Sequence, residues 1–206
     1  PTIAVAIAEL KNAWKGEPVL LEKKRTGQGD GFAITSSEHQ GRILSSTEAG
    51  LLYGVYCLLR MQAAGQVTVP LSVTEQSVYD LRILNHWDNL NGTVERGYAG
   101  CSLWNWEELP GTLSPRYEAY ARANASVGIN GTVLNNVNAS PQVLATSSLE
   151  KVKALADVFR PYGIKVYLSV NFASPIQLGK LDTADPLDKE VIRWWRRKVK
   201  EIYTLI

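Results

Sequence analysis

Two histidines and two cysteines in 206 residues leave little material for several kinds of chemistry. A disulfide framework needs more than Cys57 and Cys101. Both are read as buried thiols, with Cys57 in the apolar face of a helix, where cysteine behaves as a small hydrophobe; the redox compartment stays open. With His39 and His86 as the whole histidine complement, no spacing of Cys, His and acid fits zinc or iron, and no protein-bound metal is expected. An excess of one charge is missing too. The net charge is +2, which gives no electrostatic case for nucleic acid or for an anionic membrane as partner. No apolar run approaches the roughly 18 residues of a membrane span, and no signal peptide opens the chain. The sequence starts PTIAVAIAEL without a methionine, so its true N terminus is expected to be missing or processed.

What is present points to a folded domain. Hydrophobic residues make up 45% and charged residues 20%, a soluble, globular balance rather than a disordered one. Six Trp and nine Tyr supply flat apolar surfaces of the kind carbohydrate sites use, although aromatics also fill cores. Asn-x-Ser/Thr sequons occur at Asn91, Asn124, Asn130 and Asn138. Those at Asn124 and Asn130 fall in compact elements, which argues against glycosylation there.

Residues 1–75 read as a small α/β domain. TIAVAIAELKNAW predicts a helix ending near Gly16. DGFAITSS (30–37) and GRILSS (41–46) predict two strands joined by a turn at Glu38–Gly41. STEAGLLYGVYCLLRMQAAG predicts a helix capped by Ser46 or Thr47, with Leu51, Val55, Leu58 and Leu59 as its apolar stripe and Gly65 as its stop. TGQGDG (26–31) is glycine-rich but precedes a strand instead of linking a strand to a helix, so it reads as a turn and not a phosphate loop.

Residues 76–206 change rhythm. A strand carrying LRILNHW, with Leu81, Ile83 and Leu84 as its interior residues, leads into a long loop punctuated by Gly92, Gly97, Gly100 and Gly111. Helix PRYEAYARANASVG follows, then strand GTVLNNV (131–137). Helix SLEKVKALADVFRPYG (148–163) comes next, with Leu149, Val152, Leu155, Ala156 and Phe159 inward. Strand IKVYLSV (164–170) and helix LDKEVIRWWRRKVKEIYTLI complete the run. Strand, loop and helix recurring in this order predict parallel strands with right-handed crossovers. Trp194 and Trp195, in RWWRRK, read as helix packing with stacked Arg.

Each of these strands ends in hydrogen-bonding residues: NHWDN, NNVNAS and NFASP. The carboxyl ends of parallel strands form the ligand face of α/β folds. Asn85, His86, Asp88, Asn89, Asn135, Asn136, Asn138 and Asn171 would therefore share one rim, suited to a ligand with many hydroxyls. His86 reads as a hydrogen-bonded rim residue more readily than as a general base, since no nucleophile or paired acid stands beside it. Trp87 is either a buried plug or a sugar-stacking platform, and its polar neighbours favour the platform. Glu95 and Arg96 are either a solvated surface pair or a substrate clamp, the carboxylate accepting hydroxyls and the guanidinium meeting an anion. Asp88 and Glu95 could also form a paired-carboxylate site of the glycosidase type.

Three stretches carry a more specific likeness. LNHWDNLNGTVERGYAGCSLWNW, RYEAYARANASVGINGTVLNNVNA and LADVFRPYGIKVYLSVNFASPIQLGKLDTADPLD resemble the α-glucuronidases of glycoside hydrolase family 67, closely over residues 80–206 and loosely before. The resemblance implies a (β/α)8 barrel enzyme, of which residues 76–206 would be the first three βα units behind the small N-terminal domain. It implies removal of glucuronic or 4-O-methylglucuronic acid from xylo-oligosaccharides, across an α-1,2 bond and with inversion. A glutamate would serve as general acid, and an aspartate and a glutamate as the base for water, the carboxyls roughly 6.5–9.5 Å apart. No metal or organic cofactor is implied. Trp87 and Val137 resemble the apolar sheath around the uronic acid, and Glu95 and Arg96 resemble sugar-binding residues. Asn136, Asn138 and Asn171, with His86 and Asp88, are the further rim candidates. The family's acid and base carboxylates are expected beyond Ile206, so the catalytic residues are unassigned here and the 206-residue chain alone is expected to be inactive. The alternative is a non-catalytic sugar-binding fragment or relic. A homodimer of the full-length protein is left open, and a bacterial interior or periplasm is the expected location, secretion remaining open.

Overall fold

The computed structural model describes residues 1–25, 29–138 and 140–206. The TGQGDG turn lies partly outside them. The chain is mixed α/β and divides into two compact units. The first comprises Pro1–Arg82, Glu118–Asn130 and Phe159–Ile164; the second comprises Ile83–Tyr117, Gly131–Val158 and Lys165–Ile206.

In the first unit, α1 (Thr2–Ala13) and α2 (Glu48–Ala63) accompany β1 (Val19–Lys23), β2 (Phe32–Ser36), β3 (Gly41–Ser45) and β4 (Leu71–Glu75). The sheet order is β1-β3-β2-β4, with β1 parallel to β3 and β2 antiparallel to both β3 and β4. The 32–45 hairpin and both helices follow the sequence reading, whereas β1 and β4 were not read from it. Thr47 is the N-cap of α2, its hydroxyl accepting from Gly50 N–H at 3.0 Å, which satisfies one of the helix's orphan donors. Residues 50–58 of α2 are buried all round. Gly54 makes this possible: a Cβ there would stand 2.5 Å from Ile43 Cγ2, so any side chain would lift the helix off β3.

Two ion pairs fasten this unit. The Arg122 guanidinium meets Glu9 bidentately, at 2.5 and 2.7 Å, and Tyr56 OH donates to the same carboxylate at 3.1 Å. Burial first, then the Glu9 charge, pushes the Tyr56 phenol above its ordinary range. Arg82 pairs with Asp30 while its Nε donates to Gly128 O.

The second unit holds β5 (Ile83–Asn85), β6 (Gly131–Val133) and β7 (Lys165–Tyr167), all parallel and in sequence order. Its helical elements are α3 (Pro115–Ser126) and α4 (Thr146–Phe159), each only in part, with α5 (Ser174–Gln177) and α6 (Lys189–Leu205). Gly131 in the middle strand has no room for a side chain, because a Cβ would stand 2.8 Å from both Ile83 Cγ1 and Tyr167 Cε2. Leu149, Val152, Leu155 and Ala156 are buried as their helical spacing requires, as is Phe159 in the first unit. Val143, Leu144 and Trp194 form a cluster against which Leu168, Val170 and Trp195 pack.

Several expectations are corrected. The strands are three residues long, shorter than read. Beyond Val133 a side chain takes over the ladder: Asn135 Nδ2 donates to Ser169 O at 3.0 Å and Ser169 N–H donates back to Asn135 Oδ1 at 2.9 Å. Leu81 and Leu84 are not interior residues, being 61% and 37% exposed: Leu81 precedes β5, and Leu84 lies in it at the edge of its sheet. Cys57 is buried but Cys101 is exposed, since it lies in a loop. The cation over the Trp194 ring is Lys198, one helical turn further on, rather than an arginine.

Candidate functional site

The chain leaves β5 through His86, whose N–H donates to Val133 O at 3.2 Å. Trp87 then takes a left-handed backbone conformation, φ 56°. Asp88 and Val94 form an antiparallel bridge, as do Thr93 and Cys101, so NGTVERGYAG folds back on itself as a narrow ribbon. Gly92, Gly97 and Gly100 provide the positive φ values at its bends. Glu95, φ 58°, is the second non-glycine residue of the ribbon in left-handed space. Such a conformation costs roughly 1–2 kcal/mol and persists only where the surroundings over-determine it.

Here they do. Glu95 N–H donates to Trp87 O at 3.0 Å, tying the two strained residues together. Glu95 O accepts from the side-chain amides of Asn89, at 2.9 Å, and Asn136, at 2.8 Å. Asn136 is itself buried. Its backbone N–H donates to Asp88 O at 2.8 Å, and its Oδ1 accepts from Asn138 N–H at 2.9 Å. Two amides from different strand ends thus converge on one carbonyl and fix the Glu95 backbone.

Asp88 faces inward. Its Oδ2 accepts from Ser102 Oγ at 2.5 Å and from Leu103 N–H at 3.0 Å. Burial pushes its carboxyl above the ordinary value, and these donors only partly oppose it. His86 packs edge-on to Trp104, with ring centroids 5.4 Å apart. Burial pushes its imidazole below 6.5, the Asp88 charge opposing. The Glu95 side chain is 18% exposed, accepts from Tyr98 OH at 3.3 Å and lies 4.0 Å from Arg96 Nε; Arg96 is 78% exposed.

The structure therefore brings Trp87, Asp88, Glu95, Arg96, Asn136 and Asn138 into one bonded assembly. Val137 stands exposed beside it in sequence. Asn171 is used locally, its Oδ1 accepting from Ala173 N–H at 2.9 Å just before α5. Asn89, expected at the rim, donates its amide to the Glu95 carbonyl, and Ser102, which holds Asp88, was not singled out; its signal was faint, one serine in a glycine-bounded loop. Among the described residues, no three His, Cys, Asp or Glu side chains cluster as metal ligands would.

Residues 61–206 match the glycosyl hydrolase family 67 middle domain, and the chain belongs to that family, as the three quoted stretches implied. It is 44% identical over 178 residues to "Probable alpha-glucuronidase A" of Neosartorya fischeri, covering 86% of this chain and 21% of that protein. It is 39% identical over 192 residues to the "Alpha-glucuronidase" of Hypocrea jecorina, covering 90% of this chain and 23% of that protein. The chain thus spans about a fifth of the length of the curated relatives it matches. Two solved structures share the fold at low identity. One is a family GH138 enzyme targeting pectin rhamnogalacturonan II, with TM-score 0.65 and 13% identity over 98% of this chain and 28% of that chain. The other is a family GH115 4-O-methyl-alpha-glucuronidase with specificity for decorated arabinogalactans, with TM-score 0.62 and 12% identity over 98% of this chain and 32% of that chain.

Proposed function

We propose that this chain is the uronic-acid-receiving part of an inverting α-glucuronidase that removes glucuronic or 4-O-methylglucuronic acid from xylo-oligosaccharides. In this reading residues 1–75 form a small α/β domain, and residues 76–206 are the first three units of a (β/α)8 barrel. Arg96 meets the sugar carboxylate, Glu95 accepts ring hydroxyls, and Trp87 and Val137 give the ring an apolar wall. Asn138 and Asn171 lie at the rim, while Asn136, Asp88 and His86 position the loop from beneath. The general acid and the base carboxylates belong to parts of the enzyme outside these 206 residues. The partner is a glucuronic-acid-bearing xylo-oligosaccharide.

The observation that carries this reading is Glu95, held in left-handed space by two amides on its carbonyl and one bond to Trp87. Backbone strain maintained this way concentrates at ligand sites, and an exposed arginine beside a fixed carboxylate suits an acidic sugar. Binding of glucuronic acid to the 206-residue chain tests it, read at the Trp87 indole. Saturable binding that weakens in Glu95→Gln and Arg96→Ala is the expected result, with no release of uronic acid from the oligosaccharide by this chain alone. Absence of binding would overturn the site. Release of uronic acid would overturn the placement of the catalytic carboxylates.

A further inference from the structure

The same loop also lines a cavity that the uronic-acid reading leaves unused. Its volume is about 470 Å³, and its wall runs from Leu90 and Asn91 through Ser102 and Trp104 to Tyr117. That volume lies in the range of small-molecule sites, roughly 300–1,000 Å³. The telling residue is Trp106, which lines the cavity yet is only 3% exposed. Its buried indole N–H has no acceptor among the described residues. An indole N–H can only donate, and a buried donor without an acceptor is destabilising. Trp106 is nonetheless held firmly, because the Lys151 ammonium donates to its backbone carbonyl.

The cavity also carries charge. Glu107, Glu108 and Arg116 line it and are exposed, two carboxylates against one guanidinium. That balance repels an anion and offers acceptors to hydroxyl groups. Asn105 between them is fixed, its N–H donating to Tyr117 OH at 2.8 Å and its Oδ1 accepting from Glu107 N–H at 3.3 Å. An occupant must therefore bring an acceptor for Trp106, hydroxyl donors for Glu107 and Glu108, and no negative charge. It also needs C–H faces for the apolar wall of Leu103, Trp104 and Tyr117.

We propose that this cavity binds a neutral sugar unit of pentose or hexose size, one oxygen accepting from Trp106 Nε1–H while its hydroxyls donate to Glu107 and Glu108. The choice of a sugar among neutral polyols rests on the glycosidase reading above; the need for a neutral, hydroxyl-bearing occupant does not. The site is separate from Glu95 and Arg96, and its occupant braces the ribbon through Asn91 and Ser102.

The experiment is a titration of the ¹⁵N-tryptophan-labelled chain, whose six indole N–H signals are assigned with single Trp→Phe variants. Probes are D-xylose, xylobiose and glucuronic acid. Xylose and xylobiose are expected to move the Trp106 indole proton downfield and saturably, and glucuronic acid to leave it in place. The double variant Glu107→Gln, Glu108→Gln is expected to bind xylobiose roughly tenfold more weakly with an unchanged circular dichroism spectrum. A Trp106 signal that ignores both neutral sugars, or moves equally with glucuronic acid, overturns the proposal. An affinity untouched by the double variant does the same. The Trp87 signal separates the two readings: its silence toward glucuronic acid, with Trp106 still responding, sinks the uronic-acid site and leaves this one standing.

Discussion

Glu9 in the first unit and Asp88 in the second are carboxylates buried to a similar degree, 8% and 2% exposed, and the chain satisfies them by different means. Glu9 receives a bidentate guanidinium and a phenol from other helices. Asp88 receives a serine hydroxyl and a backbone N–H from its own loop, and burial raises its proton affinity in spite of them. A bidentate ion pair locks helices drawn from distant parts of the sequence. Neutral donors shape a loop that leaves the Arg96 guanidinium at the surface, beside a Glu95 carboxylate that is only partly exposed. The first unit spends its charges on architecture, and the second keeps two in reserve.

The contrast can be broken most forcefully at Arg122. Arg122→Met strands the Glu9 carboxylate and is expected to cost about 2–3 kcal/mol, the low end for a broken buried pair because the guanidinium is itself half exposed. Urea unfolding measures this, and an unchanged midpoint would mean the ion pair is ornamental. Next comes Asn136→Ala, which removes a buried side-chain amide with two partners, Glu95 O and Asn138 N–H. A loss of about 1–2 kcal/mol is expected, with the Glu95 amide exchanging hydrogen faster than the global loss accounts for. If exchange there follows global stability alone, Asn136 does not hold the ribbon. A smaller effect of opposite sign is expected for Glu95→Gly. Relief of the left-handed backbone should raise stability by up to about 1 kcal/mol while abolishing glucuronic acid binding. A drop in the thermal midpoint would refute the claim of strain.

The subtlest effect is on pH dependence. Asp88 keeps its proton in the folded chain above the ordinary 3.8. Between that value and the raised folded one, the folded state binds more protons than the unfolded state, so stability falls as pH rises. Asp88→Asn should flatten this part of the profile, and an unaltered slope would exclude Asp88 as its source.

The helices were the legible part of the sequence. Thr47 before an apolar run, and Leu149, Val152 and Leu155 at helical spacing, state their structure locally. So did the parallel order of β5, β6 and β7, through the repeated strand-then-helix rhythm. β1 was not legible, because VLLEK lacks alternation and its partner residues in β3 lie 22 positions further on, Val19 opposite Gly41. Nor was the exposure of Leu84, since neighbours on a sheet edge are decided by topology and not by composition. The site was half legible. The polar strand ends marked where it lies, but whether Asn136 faces a ligand or the carbonyl of Glu95, 41 residues away, is a long-range fact. Trp106 was hidden by its company: two tryptophans and two acids between Gly100 and Gly111 look like ordinary core until one donor is found without an acceptor.

The two amides on the Glu95 carbonyl also bear on the thermodynamics of recognition. A mobile loop must surrender its conformational entropy when a ligand arrives, and that loss is subtracted from the contact energy. In the 87–102 ribbon the backbone is ordered at folding, by Asn89, Asn136 and the bridges at Asp88 and Thr93. Its association with a small ligand should therefore show little unfavourable entropy from chain ordering, and contacts at its surface can appear almost whole in the affinity.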